Sequence, residues 1–93
     1  MLEKLKAVER RLTEVERQLS DPAVYTDRER LTALSREQKE LTPLVTCYRA
    51  YAAAVQTAED ASAMLADPEL RELAQEELTA ARADMERLTE ELK

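Results

Sequence analysis

The twelve residues Asp67–Leu78, DPELRELAQEEL, decide how the C-terminal part of the chain folds. Asp67 suits a helix N-cap, because its carboxylate can accept hydrogen bonds from backbone N–H groups that lack partners in the first turn. Pro68 suits the first helical position, where its missing N–H costs nothing and its φ is already helical. Glu69 and Glu72 place negative charge at the positive end of the helix dipole. The stretch therefore predicts a helix that begins at Pro68.

Apolar residues at helical spacing predict an all-α fold of three helices, at about residues 2–19, 27–66 and 68–92. The first stripe consists of Leu5, Val8, Leu12, Val15 and Leu19. The second stripe consists of Leu31, Leu34, Gln38, Leu41, Val45, Tyr48, Ala52, Val55, Ala58, Ala61 and Leu65. The third stripe consists of Leu70, Ala74, Leu78, Ala81, Met85, Leu88 and Leu92.

Capping and breaking residues mark the ends of these helices. Residues 20–22, Ser-Asp-Pro, stop the first helix, and Thr26 with Glu29 forms a capping box that starts the second. Pro43 lies inside the second stripe, whose register continues past it. Because proline removes one helical hydrogen bond, we expect a kink near Pro43, with a full break as the alternative.

Helix lengths indicate how the helices pack. At about 1.5 Å per residue, the two outer helices together are about as long as the middle one. Short connections make sequential helices antiparallel, so we expect two coiled-coil-like hairpins that share the middle helix, with the outer helices meeting near Pro43. A core between helix pairs is thin, so we expect either self-association, such as a homo-dimer of the isolated fragment, or docking against a missing part of the protein.

The composition excludes several classes of functional site. The chain has no Gly and no His, and it has a single Cys. This rules out Gly-rich phosphate loops, an internal disulfide, Cys/His zinc sites and Ser-His or Cys-His catalytic pairs. We expect no catalytic residue, no metal and no cofactor. Without an apolar run of roughly 20 residues or a signal peptide, we expect the protein to be cytoplasmic.

Charge bears on the class of partner. Residues 67–93 carry four basic and nine acidic side chains, which account for most of the net charge of −6. Nucleic-acid binding needs clustered Lys and Arg, so we do not expect this segment to bind RNA by itself. An acidic helix face is either simply solvated or docks on a basic protein surface. The docking interpretation depends on Glu72, Glu76 and Glu77.

Three further features have a structural and a functional interpretation. Adjacent carboxylates at Glu76–Glu77 and Glu90–Glu91 point about 100° apart on a helix and cannot share a metal ion well. Cys47 is either a redox thiol or a buried small apolar residue, and the sequence favours the second. The three tyrosines are too scattered to stack nucleic-acid bases, and we expect them to pack.

Two stretches resemble a known family. Residues 64–92, MLADPELRELAQEELTAARADMERLTEEL, are similar to the N-terminal domain of the bacterial peptide chain release factor 1 family, where a pattern close to L-x-D-P-E-[LM]-R-E-[LM]-A-x-E-E-L recurs. Residues 11–41, RLTEVERQLSDPAVYTDRERLTALSREQKEL, resemble the family's first helix, its short loop and the R-x-x-x-L-S-[RK]-E start of its second helix. The D-P-E-x-R helix start favours factor 1 over factor 2.

The resemblance implies that residues 1–93 are one N-terminal helical domain of a larger release factor. Class I release factors read stop codons through a Pro-x-Thr-like tripeptide and trigger peptidyl-tRNA hydrolysis through Gly-Gly-Gln, and neither tripeptide occurs here. In the family this domain lies toward the stalk base of the large ribosomal subunit. The implied partner is therefore the ribosome, through the parent protein, with no direct contact to the stop codon.

Three classes of function follow. The resemblance favours a ribosome-binding and positioning module of a translation termination factor, without catalysis. A structural coiled coil, such as a dimerising or scaffold segment, accounts for the apolar stripes equally well. An enzyme would need an unusual site built from carboxylates alone.

Overall fold

A computed structural model describes residues 2–93, in which every regular element is helical. Helix α1 spans Leu2–Leu19, a 3-10 helix spans Pro22–Thr26, α2 spans Arg28–Met64 and α3 spans Arg71–Leu92. The prediction of an all-α fold with three helices is therefore confirmed. Across the described residues, none of the helices combines the length and apolar character needed to cross a membrane.

The chain forms two compact units that divide between Thr46 and Cys47. Unit 1, which ends at Thr46, contains α1, the 3-10 helix and the first part of α2. Unit 2, Cys47–Lys93, contains the rest of α2 and α3. Because α2 remains helical through Pro43, a full break there is wrong. The kink and the meeting of the outer helices near Pro43 stay predictions.

Side chains close the turn that follows α1. The Ser20 hydroxyl and N–H donate to the Glu16 carbonyl, at 2.9 and 3.1 Å. The Asp21 carboxylate accepts a hydrogen bond of 2.9 Å from the Ala23 N–H and so caps the 3-10 helix, in which Pro22 comes first. The predicted stop after the first helix is confirmed, and its Ser-Asp-Pro sequence leads directly into a short helix.

Helix α2 begins one residue later than expected and with a different cap. The Thr26 hydroxyl donates to the Ala23 carbonyl at 2.8 Å, so it is engaged within the 3-10 helix. The Asp27 carboxylate instead accepts from the Arg30 N–H at 3.1 Å, which is the N-cap arrangement. The predicted capping box of Thr26 with Glu29 is therefore wrong, because the adjacent aspartate supplies the cap.

A small apolar core holds unit 1 together. Val15, Val24 and Leu34 are buried against one another, and the partly buried Leu19 and Leu31 pack at the edge of this cluster. Val24 belongs to no helical stripe of the sequence. Val24 is part of the core because it lies on the 3-10 helix. This short helix connects α1 and α2, which carry the other members of the core.

Polar contacts between α1 and the first part of α2 show the register of the two helices. Arg30 donates to the Gln18 side chain at 3.1 Å. Arg11 and Glu37 form a bidentate ion pair with N–O distances of 2.6 and 2.7 Å, which is geometrically specific. Arg11 lies seven residues before Gln18 on α1, whereas Glu37 lies seven residues after Arg30 on α2. The two segments are therefore antiparallel.

The start of α3 corrects the prediction made from DPELRELAQEEL. Helix α3 begins at Arg71, three residues after the predicted Pro68. The Asp67 carboxylate does accept a hydrogen bond, of 2.9 Å, from the Glu69 N–H. The Leu70 N–H then donates to the Asp67 carbonyl at 3.1 Å, a three-residue spacing tighter than that of an α-helix. Asp67 therefore caps a separate turn.

The connection between α2 and α3 covers residues 65–70, because α2 ends at Met64 and not near residue 66. The Asp67 N–H donates to the Met64 carbonyl at 3.1 Å. The Arg71 side chain donates to the Leu65 carbonyl at 3.3 Å and ties the two ends of the connection together. The connection is thus a hydrogen-bonded turn.

Small residues at seven-residue spacing form part of the buried seam of unit 2, alongside three larger buried side chains. Ala54 and Ala61 are buried on α2, and Ala74 and Ala81 are buried on α3, with Ala61 and Ala74 at 0% exposure. Side chains this small let two helices approach closely, since the interaxial distance depends on the residues at the contact. The predicted second stripe is wrong at Ala52, which is exposed because Ala54 takes the inner position.

One register relates the two segments of unit 2. The Cys47 sulfur lies 3.8 Å from the Leu88 carbonyl oxygen. Ala54 and Ala81 line the same surface groove. Ala54 lies seven residues after Cys47 on α2, whereas Ala81 lies seven residues before Leu88 on α3. The two segments are therefore antiparallel. A further step of seven residues along each helix, in the same directions, reaches the two alanines that are fully buried.

Enlarging a buried alanine should destabilise unit 2, whereas enlarging its exposed neighbour should not. We expect Ala81→Leu to lower the free energy of unfolding by about 1–3 kcal/mol, because closely packed helices leave no room for the larger side chain. Ala80→Leu, on the exposed side of α3, should change it by less than about 0.5 kcal/mol. Urea denaturation followed by circular dichroism measures both variants. Equal effects would contradict the close packing.

Unit 1 should lose stability as its paired carboxylates are protonated. Hydrogen bonds from Arg17, and then Gln18, lower the pKa of Glu14 from 4.5 to about 2. The hydrogen bond from Arg11 likewise lowers the pKa of Glu37. Such carboxylates stabilise the fold above their unfolded pKa and stop doing so as pH falls through the folded value.

We therefore expect the melting temperature to fall as pH is lowered from about 4.5 towards 2, and to fall less in Glu14→Gln. Thermal melts followed by circular dichroism measure this, and an NMR titration reports the pKa of Glu14 directly. A Glu14 carboxyl that titrates near 4.5 would refute the assignment.

Candidate interaction surface

The two units differ in charge. Unit 1 carries nine basic and nine acidic side chains, whereas unit 2 carries five basic and eleven acidic side chains. The net charge of −6 therefore lies entirely on unit 2. A surface of one sign attracts partners of the opposite sign and repels the phosphate backbone of nucleic acids.

Among the described residues of α3, three of the four carboxylates near the C-terminal end form ion pairs, Glu86 being the exception, whereas those near the N-terminal end form none. The last turns contain ion pairs with N–O distances from 2.9 to 3.7 Å, formed by Arg87 with Asp84 and Glu91 and by Lys93 with Glu90. In the described part of the chain, Glu72, Glu76 and Glu77 form no ion pair. Uncompensated negative charge is thus concentrated in the first half of α3.

Two of these carboxylates belong to the outer face of α3, which lies opposite its buried stripe. This face carries a shallow, open depression lined by Glu72, Gln75, Glu76, Thr79, Ala80 and Ala83. Glu77 lines the neighbouring groove between α2 and α3. An open depression of this kind does not enclose a small molecule, because ligand pockets bury most of their ligand's surface.

Two leucines are exposed beside the unpaired carboxylates. Leu70 is 39% exposed and Leu73 is 50% exposed. The sequence predicts Leu70 as the first member of the buried third stripe, and this is wrong because α3 starts at Arg71 and leaves Leu70 in the connection. Leu73 lies outside that stripe, and its off-stripe position was the one signal in the sequence that it would be exposed.

Cys47 is a partly buried thiol that lies against the C-terminal end of α3. Its sulfur lies 3.8 Å from the Leu88 carbonyl oxygen and 3.6 Å from a Glu91 carboxylate oxygen. Burial, followed by the hydrogen bond and negative charge of Glu91, raises the pKa of the Cys47 thiol. Because the thiolate is the nucleophile, a raised pKa makes the thiol less reactive at neutral pH. These contacts support the packing interpretation.

The other residues considered from the sequence do not come together in a site. Across residues 2–93, no three Cys, Asp or Glu side chains are grouped so that they could hold a metal ion. Tyr48 is buried and Tyr51 is half-buried. Tyr25 is exposed, and its hydroxyl donates to the Leu19 carbonyl at 2.8 Å. The expected packing therefore holds for Tyr48 and in part for Tyr51, and it is wrong for Tyr25, whose ring is exposed.

The helices described above coincide with a known domain. The sequence profile of the PCRF domain matches residues 8–93, from within α1 to the end of α3. The chain belongs to the PCRF domain family. No solved structure matches it.

The relatives of this PCRF domain include several bacterial proteins named peptide chain release factor 1. The one from Geobacter sulfurreducens is 41% identical over 93 residues, which are 100% of this chain and 26% of the relative. The one from Pelobacter propionicus is 40% identical over 92 residues, 99% of this chain and 26% of the relative. The one from Streptococcus pyogenes serotype M5 is 43% identical over 95 aligned positions, 98% of this chain and 26% of the relative.

These comparisons confirm the resemblance to the release factor 1 family. The similarity covers only part of each relative, because the PCRF chain spans about a quarter of the length of the curated relatives it matches.

The thiol of Cys47 in this PCRF domain should react slowly. We expect iodoacetamide to alkylate it more slowly at about pH 8 than an unstructured cysteine peptide, and Glu91→Gln to accelerate the reaction by lowering the thiol pKa. Initial rates across a pH series measure both effects. Glu90→Gln removes a neighbouring carboxylate that pairs with Lys93 and should leave the rate unchanged. A wild-type rate equal to that of the peptide would contradict the assignment.

Proposed function

We propose that residues 1–93 serve as the N-terminal helical domain of a cytoplasmic translation termination factor of the release factor 1 type. The observation that carries this proposal is the PCRF match over residues 8–93, together with 40 to 43% identity to proteins named peptide chain release factor 1. Because the chain corresponds to 26% of the length of those proteins, the termination activity is proposed for a longer parent.

The parent would recognise stop codons on the ribosome and trigger peptidyl-tRNA hydrolysis, while this domain takes no chemical part. The three prolines begin Pro-Ala-Val, Pro-Leu-Val and Pro-Glu-Leu, so the chain has no Pro-x-Thr-like tripeptide. It has no Gly and therefore no Gly-Gly-Gln. The single thiol, at Cys47, has a raised pKa and a packing environment. These features support a binding and positioning role without metal or cofactor.

The first half of α3 is the surface best suited to that role. Glu72, Glu76 and Glu77 are exposed, and within residues 2–93 they have no basic partner. Proteins that bind RNA carry basic surfaces, so an acidic domain on the ribosome is attracted to such a protein and repelled by the RNA itself. The proposed contact is a basic ribosomal protein in the stalk-base region of the large subunit, a location that the family resemblance suggests.

A structural coiled coil that forms homo-dimers is the second candidate. In unit 2, the half-buried Val55, Ala58 and Met85 line a surface groove between α2 and α3 that a second copy would cover. The net charge of −6 on unit 2 opposes this association at low salt. Sedimentation that shows a monomer independent of concentration would eliminate the second candidate.

Charge reversal on α3 tests the proposed role. In a full-length release factor that contains this domain, we expect Glu72→Lys/Glu76→Lys/Glu77→Lys to raise the KM for programmed ribosomes by about tenfold at low salt. The effect should shrink at high salt, since screening weakens exposed charges. The kcat of peptide release should stay unchanged, because hydrolysis would use other domains. Release of a labelled peptide, measured as a function of ribosome concentration, gives both constants.

The matched control is Glu16→Lys/Glu29→Lys/Glu40→Lys, which makes the same change of charge at exposed positions of unit 1. Each triple variant includes one glutamate from the first turn of a helix, Glu72 in α3 or Glu29 in α2, so the helix-dipole cost is similar. An α3 variant with wild-type KM at low salt, or a control that is equally impaired, would count against a specific acidic contact.

A further inference from the structure

The end of unit 2 at the α2–α3 connection presents an apolar pair to solvent. Leu70 and Leu73, here called the leucine tip, are the large hydrophobic residues that are exposed within the described part of unit 2. Leu70 directly precedes α3 with its backbone already in the right-handed helical region, and its carbonyl accepts from the Ala74 N–H at 2.8 Å, so it lies about one helical turn before Leu73. Single exposed leucines are ordinary on protein surfaces. Two adjacent leucines at one end of a helical pair form a patch, and exposed apolar patches mark contact sites.

Carboxylates border the leucine tip. Glu72 adjoins Leu73 in the sequence, while Glu76 and Glu77 follow it by three and four residues and are its neighbours on the helix surface. Glu69 precedes Leu70 in the connection. Within residues 2–93 none of these glutamates forms an ion pair. The exposed Arg71 adds one positive charge beside these four carboxylates. The tip therefore combines an apolar centre with a rim of net negative charge, and a protein contact site has the same arrangement of apolar core and polar rim.

The backbone at the leucine tip is already ordered. The Asp67 carboxylate accepts from the Glu69 N–H at 2.9 Å, and the Asp67 carbonyl accepts from the Leu70 N–H at 3.1 Å. The Arg71 side chain spans the connection and donates to the Leu65 carbonyl at 3.3 Å. A surface held in its binding conformation loses little conformational freedom on association, so more of the contact energy appears as affinity.

We propose that the leucine tip is an anchor that inserts into an apolar socket on a basic protein surface, with the bordering carboxylates facing Lys or Arg at the rim of the socket. The charges favour a protein as the partner, because four unpaired carboxylates repel the phosphates of both RNA and anionic membranes. This inference rests on the proposed function and deepens it, since it assigns the contact residues and adds an apolar component to the electrostatic one.

The apolar and acidic parts of such a contact respond differently to salt. Interaction between exposed charges is screened as ionic strength rises, whereas burial of apolar surface is not. Most of the binding energy of a protein interface comes from a few central side chains. The leucines should therefore account for the salt-independent part of the affinity, and Glu72, Glu76 and Glu77 for the salt-dependent part.

Truncation of the leucine tip in the full-length release factor tests the anchor. We expect Leu70→Ala/Leu73→Ala to raise the KM for stop-codon-programmed ribosomes by about tenfold or more, at low and at high salt alike, with kcat unchanged. The matched control is Leu2→Ala/Leu44→Ala, which truncates two leucines of unit 1 that are 46% and 42% exposed. It should retain the wild-type KM. If thermal melting shows that the double variant is unfolded, Leu73→Gln replaces it, because this change keeps the length of the side chain.

Photo-crosslinking identifies the class of partner. A benzophenone amino acid in place of Leu73, in the same factor bound to programmed ribosomes, should form adducts with ribosomal protein, and the same probe in place of Leu44 should not give that adduct. Adducts with RNA would overturn the assignment of a protein socket. A wild-type KM for the leucine variant, together with a raised KM for the α3 charge reversal, would overturn the anchor and leave the proposed function standing. Wild-type behaviour of both variants would overturn both.

Discussion

Antiparallel pairing of each part of α2 with one neighbouring helix is the constraint on which the rest of the structure depends. Two paired helices bury a narrow seam, so a small error in register would expose apolar side chains to water. Both seams are set by steps of seven residues, the spacing that keeps side chains on the same side of paired helices. Arg11–Glu37 and Arg30–Gln18 define the register in unit 1, and Ala54–Ala81 follows from Cys47–Leu88 in unit 2.

The two units meet this constraint with different chemistry. Unit 1 buries branched side chains, centred on Val15, Val24 and Leu34, and balances its acidic and basic groups. Unit 2 buries Tyr48, Leu78 and Leu88 together with four alanines, which fill little space and allow close approach of the helices. Its larger apolar residues at the start of α3, Leu70 and Leu73, remain outside together with the excess negative charge. Unit 1 also exposes large apolar side chains, but its charges are balanced, so unit 2 is the one that combines exposed leucines with excess negative charge.

Local sequence was informative where one chemical group controls one turn, and less so where several groups compete. The stop after Leu19 was predictable because Ser-Asp-Pro offers few alternatives to a break. The start of α2 was not, because Thr26 and Asp27 are both capable caps and the 3-10 helix engages the threonine. The start of α3 failed for a related reason, since Asp67 is a good cap for either a helix or a single turn.

The sequence alone determined the helical class, the three helices, the absence of the release-factor tripeptides and the family, because these depend on residue types and local spacing. It also located the excess acid, since charge can be counted without a structure. The tertiary structure decided which residues of each stripe lie inward, with Ala54 and not Ala52 in the seam. It also decided that Leu70 and Leu73 stand exposed beside unpaired carboxylates. Burial and pairing depend on the neighbouring helix, and a helical period does not contain that information.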